Sequence, residues 1–140
     1  MPGGFRELEN VTADIGIEAW GSSVESAFAS AANGLASLKS EVPASNKTLK
    51  KRFKIRTDSL SSLLVQFLNE IVYLEETEGF LPGVVHDLTI SGTSLDATVA
   101  GDTFDPEIHS MNAHIKAATY HGLEIEELPD EVRIKVIFDV

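Results

Sequence analysis

The chain has 140 residues, 43% of them hydrophobic and 24% charged, a size and balance that suit a single folded domain and exclude a largely disordered chain. It contains no cysteine, which rules out disulfides and thiolate metal sites and leaves histidine, carboxylate and carbonyl oxygen as the available ligands. The formal net charge of −11 opposes autonomous binding to RNA or DNA, the opening MPGGFRELEN has neither a basic nor an apolar targeting region, and no apolar run reaches the roughly 18–20 residues of a membrane span, so a soluble, cytoplasmic protein is expected.

Residues 12–20 alternate as a strand, with Ala13, Ile15, Ile17 and Ala19 on one face and Thr12, Asp14, Gly16, Glu18 and Trp20 on the other. Gly21 and Ser22 turn the chain into an alanine-rich helix whose apolar positions are Val24, Ala27, Phe28, Ala31, Leu35 and Leu38. After Pro43, Leu49, Phe53 and Ile55 form one face of a strand whose other face is Lys50, Arg52, Lys54 and Arg56. Asp58 or Ser59 caps a second helix with a wide stripe from Leu60 to Leu74, and Gly79 stops it. Strands are predicted over 84–91, 94–100, 117–127 and 131–138, with turns at Ser91-Gly92 and Pro129-Asp130 and an irregular segment, GDTFDPEIHSMN, between the second and third. The order predicts an α+β single domain over residues 1–140, its two helices packed on one face of a mixed or antiparallel sheet.

An aspartate is disfavoured inside a strand, so Asp14 calls for a reason. If the first and last strands are neighbours, Asp14, Asp139 and the carboxylate of Val140 converge. Two carboxylates about 4 Å apart repel by roughly 4 kcal/mol at an effective dielectric near 20, and a shared proton or a bound cation relieves that. An all-oxygen set favours a hard ion such as calcium or magnesium. The alternative is that Asp14 is satisfied by backbone N–H groups and Asp139 is solvated. His86, His109, His114 and His121 show no metal-ligand spacing and read as hydrogen-bonded loop residues. No catalytic triad or phosphate-cradling loop is present. Six of the eleven basic residues, Lys47, Lys50, Lys51, Arg52, Lys54 and Arg56, form one stripe, which suits either an acidic partner or RNA, or an edge strand guarded against aggregation. Trp20 is either a packed residue or a stacking platform.

The segments TADIGIEAWG, LLVQFLNEIVYLEETEG, GDTFDPEIH, KAATYHGLEIEE and VIFDV, in that order over nearly the whole chain, resemble the archease family. The resemblance implies a strand-helix-strand-strand module. It also implies a non-enzymatic, chaperone-like protein that assists the GTP-dependent RNA-splicing ligase of the RtcB class, promoting guanylylation of the ligase and multiple turnover in joining tRNA halves. It assigns a divalent-cation site, calcium first and magnesium or manganese next, to Asp14, Asp139 and Val140. Glu70, Lys116 and His121 match the family pattern as candidates for the ligase-facing surface. Asp105 and Pro106 are expected to shape a turn near the site. One departure is Val11, where the family carries a histidine. The rivals are a stand-alone metal-dependent hydrolase or phosphotransferase using Asp14, Asp105 and Asp139, and an RNA-binding chaperone using the basic stripe.

Overall fold

The computed structural model describes residues 3–8, 14–40, 42–44, 49–109 and 114–140. Val11, Lys47 and the first residues of the predicted opening strand lie outside these. The elements run β1 (Gly4–Leu8), β2 (Ile15–Gly21), α1 (Val24–Lys39), β3 (Leu49–Arg56), α2 (Leu60–Glu78), β4 (Phe80–Ser91), β5 (Ser94–Thr103), β6 (Ala117–Glu127) and β7 (Val132–Asp139).

Each helix starts where a serine hydroxyl replaces the missing turn. Ser23 accepts from the Ser26 N–H and Ser59 from the Ser62 N–H, each at 3.1 Å. Helix α1 buries Ala27, Phe28, Ala31 and Leu35, and its small residues let it lie close to the strands: a Cβ on Gly34 would meet Ile17 Cδ1 at 2.7 Å. Helix α2 buries Leu63, Leu64, Phe67, Leu68 and Ile71, with Phe67 edge-on to Phe53 of β3 at 5.7 Å. It ends at Gly79, whose φ of 66° is the left-handed conformation that glycine adopts without strain.

The strands divide into two antiparallel sheets, ordered β1-β2-β7-β6 and β3-β5-β4, where the sequence predicts one. Alternation fixes which face of a strand is buried and leaves its partner open, so it cannot distinguish one sheet from two. Helix α1 packs on β1, β2, β7 and β4, and α2 on β6 and all three strands of the smaller sheet, so the core fills the space between both helices and the inner rows of both sheets. The expected α+β class with two helices holds. Taken through the larger sheet, β2, α1, β6 and β7 make a strand-helix-strand-strand unit, into which β3, α2, β4 and β5 enter as one insertion.

Candidate functional site

Strand β2 pairs antiparallel with β7 in a register that ends at Ile15↔Phe138. Asp14 and Asp139 are the next residues outward on either strand. Because directly opposed residues share a face, and Ile15 and Phe138 face the core, the two aspartates stand on the opposite face, at the mouth of the β2-β7 pair. Opposed Cα atoms in an antiparallel pair lie about 4.5–5.5 Å apart, and carboxylates at that spacing would be within reach of a single ion. Asp14 is half-buried, and Asp139 and Val140 are exposed. Among the described residues no lysine, arginine or histidine forms a salt bridge with either aspartate.

This donor set fits a hard divalent cation: oxygen only, anionic and open to water. It also has a limit. Among the described residues no three His, Asp or Glu side chains cluster to hold an ion, so an ion at the aspartates would need backbone oxygen or water to complete its shell.

Segment 114–117 flanks the site. The Lys116 N–H donates to the Asp139 carbonyl (2.8 Å), and Ala117 pairs with Asp139 across the ladder, which brings exposed Lys116 beside the carboxylate pair. The Asn69 side chain on α2 holds this start of β6: its Oδ1 accepts from the Ala118 N–H (2.7 Å) and its Nδ2 donates to the Ala118 carbonyl (3.3 Å). His121 is exposed within the irregularity of β6 between Thr119 and Glu124, where Gly122 takes φ 67°. Glu70 lies elsewhere, half-buried in a groove between α2 and β3 with Lys51, Arg52 and Tyr73, and burial raises its pKa above the ordinary carboxylate value.

The turn expected at Asp105 and Pro106 is present. The Asp105 side chain accepts from the Glu107 N–H (2.9 Å), its carbonyl accepts from the Ile108 and His109 N–H groups, and its own N–H donates to His109 Nδ1 (2.9 Å). His109 is thus a hydrogen-bonded loop residue, as its position predicts; it is buried, its Nε2 having no partner among the described residues. Trp20 is half-buried, with Gly4 of β1 against its ring and the Arg133 guanidinium 5.7 Å from the ring centre, a packed residue and not a stacking platform.

A buried polar pair went unread in the sequence. Lys39 at the end of α1 and Glu75 near the end of α2 approach to 4.0 Å, with the ammonium 5.9 Å from the centre of the Phe104 ring. Neither Glu75 oxygen has a hydrogen-bond partner among the described residues, and burial, opposed by Lys39, pushes the carboxyl up to about 8. The available signal was the helical spacing that continues the buried row Leu64, Leu68, Ile71 into Glu75.

The chain's likeness to known proteins agrees with this architecture. Residues 5–140 match the family model described as the Archease protein family (MTH1598/TM1083). The protein archease of Thermococcus kodakarensis is 35% identical over 122 residues, covering 85% of this chain and 86% of that protein, and that of Pyrococcus furiosus is 36% identical over the same shares. The solution structure of Methanobacterium thermoautotrophicum protein 1598 superposes with a TM-score of 0.76 at 26% identity, covering 99% of this chain and 98% of that one. The crystal structure of a Thermotoga maritima archease, described as a possible chaperone, shares the fold with a TM-score of 0.64 at 24% identity, over 96% and 97% of the two chains. This chain belongs to the archease family.

Proposed function

We propose that this protein is a non-enzymatic activator of an RtcB-class RNA ligase, promoting its GTP-dependent guanylylation and multiple turnover in the joining of tRNA halves. The observation that supports the reading is the β2-β7 register, which ends at Ile15↔Phe138 and, continued by one residue, aligns Asp14 with Asp139, neither in a salt bridge among the described residues. Asp14, Asp139 and a backbone oxygen of Val140 hold a divalent cation, calcium before magnesium or manganese. When bound, the ion supplies positive charge that can orient anionic phosphate groups. The chain's own residues do the placing: Asn69 fixes the start of β6, the Lys116 backbone fixes Asp139, and the exposed side chains of Lys116 and of His121, further along β6, are the candidates to meet the ligase.

The hydrolase rival needs a third carboxylate, and Asp105 spends its side chain on its own turn. The test is guanylylation and multiple-turnover RNA joining by a cognate ligase with substoichiometric protein. Wild type stimulates, while Asp14→Ala and Asp139→Ala lose at least tenfold of that stimulation with unchanged circular dichroism. Full stimulation by both variants overturns the carboxylate site; no stimulation by folded wild type overturns the activator reading.

A further inference from the structure

The outer face of the β3-β5-β4 sheet is the other feature that the fold does not account for. Lys50, Arg52, Lys54 and Arg56 all point to this face, about 6.8 Å apart along the strand. Opposite them stand Ala100, Thr98, Asp96 and Ser94 of β5, and beyond these Val84, His86, Thr89 and Ser91 of β4. Arg52 is neutralised by a two-pronged pairing with Asp96 (2.9 and 3.2 Å), and Lys54, opposite Asp96 in the register, shares the field of that one carboxylate. Lys50, Lys54 and Arg56 are exposed and make no salt bridge among the described residues, in a chain whose net charge is −11. Guarding the free edge of β3 against other strands needs one or two charges, and inward-facing Lys51, paired with Glu78, already provides one. A ladder of uncompensated cations costs self-repulsion unless an anion covers it.

Beside Lys54 and Arg56, a shallow depression of about 310 Å³ is lined by the hydroxyl residues Thr89, Ser91 and Ser94, with Asp96, already paired with Arg52, and the apolar Ile55 and Leu95. Cations and hydroxyls together are the side chains that take phosphate oxygens and sugars. Two further features choose between a nucleic acid and an acidic peptide. Among the described residues none of the exposed large hydrophobic side chains lies on this face, so a peptide would find no apolar anchor there. Among the described residues the one aromatic ring on it is the exposed imidazole of His86, too little for a run of stacked bases, so the contact would rest on phosphates more than on base identity. We propose that the outer face of the β3-β5-β4 sheet binds a single nucleic-acid strand through its phosphates, with Lys50, Lys54 and Arg56 as the principal contacts. This surface is separate from the carboxylate pair and acts without the ligase.

The experiment is fluorescence polarisation of a labelled oligouridylate of about 12 nucleotides with the isolated protein. Three free cations predict a slope of log K against log salt near −2, a loss of about 20-fold between about 50 and 200 mM salt. The triple variant Lys50→Ala, Lys54→Ala, Arg56→Ala loses at least tenfold in affinity. Arg6→Ala, Arg133→Ala, Lys135→Ala, with the same net charge but its changes on the larger sheet, stays within about threefold of wild type. As a readout that does not depend on a variant folding, RNA added to the wild-type protein shifts the β3 backbone amides in NMR spectra. Absence of binding at 50 mM salt, equal loss in both triple variants, or amide shifts elsewhere overturns the proposal. Poly-glutamate binding as tightly as the oligouridylate would assign the face to an acidic protein segment instead.

Discussion

Glu75 gives the sharpest single-residue expectation because its sign is fixed. Its carboxyl sits near 8 in the folded chain and at about 4.5 when exposed, so between these values the native state holds a proton that the unfolded chain releases. The stability tied to that proton is fully present below about pH 4.5 and is lost as the pH rises through about 8. Melting curves of wild type and Glu75→Gln should therefore diverge, the variant gaining several degrees relative to wild type between pH 5 and pH 9. Parallel curves would show that Lys39 holds the carboxylate ionised throughout. Residue by residue, the sequence disclosed the surface more readily than the interior. Asp14 was legible because one charged letter interrupts an alternating strand, whereas Glu75 was hidden in an acidic run, LEETEG, that resembles a solvated helix end. His109 was legible as a loop residue and not as a buried one, since burial depends on which ring the loop folds over.

At the scale of elements, the contact between Asn69 and Ala118 is decisive. Strand β6 is last in its sheet, so one side of its backbone has no strand partner, and the Asn69 amide takes the place of one for a single residue. Asn69→Ala leaves the buried Ala118 backbone with an unsatisfied donor and acceptor, an expected loss of about 1–3 kcal/mol in urea unfolding. The loss should be accompanied by faster amide exchange across the start of β6, whereas a change below about 0.5 kcal/mol would mean that water replaces the amide. Both helices and strands β3 and β6 were readable, because stripes at helical spacing and runs of alternation are local properties. Other features were not. Strand β1 carries Gly4 and mostly exposed side chains, and only pairing with β2 makes it a strand. Strand β4 begins at Phe80, ahead of the predicted residue 84, because Pro82 suggests a break while the ladder accommodates it as a register shift. The division into two sheets depends on which strands meet, which no local pattern encodes.

The whole molecule is an acidic body with its charge sorted: a carboxylate pair at the mouth of one sheet and a cationic face on the other. The proposed cation binding at the pair would couple to global stability, since an ion that binds only the folded chain at a hundred times its dissociation constant adds about 2.7 kcal/mol. For a chain of this size that is roughly 5–10 °C in Tm. Calcium should raise the Tm of wild type by that amount and leave Asp14→Asn with Asp139→Asn unmoved; a shift of equal size in the double variant would place the ion elsewhere. No helix among the described residues is long and apolar enough to cross a membrane. The register that joins β2 to β7 has a further consequence for how the protein is made. As the chain leaves the ribosome, both helices and the β3-β5-β4 sheet are complete while β2 still lacks the neighbour that carries residues 132–139. The cationic face can therefore form during synthesis, whereas the β2-β7 pairing that aligns Asp14 with Asp139 forms only after β7 has been made. A translation product cut short before β7 would present the first surface without the second and, on the activator proposal, would fail to stimulate the ligase.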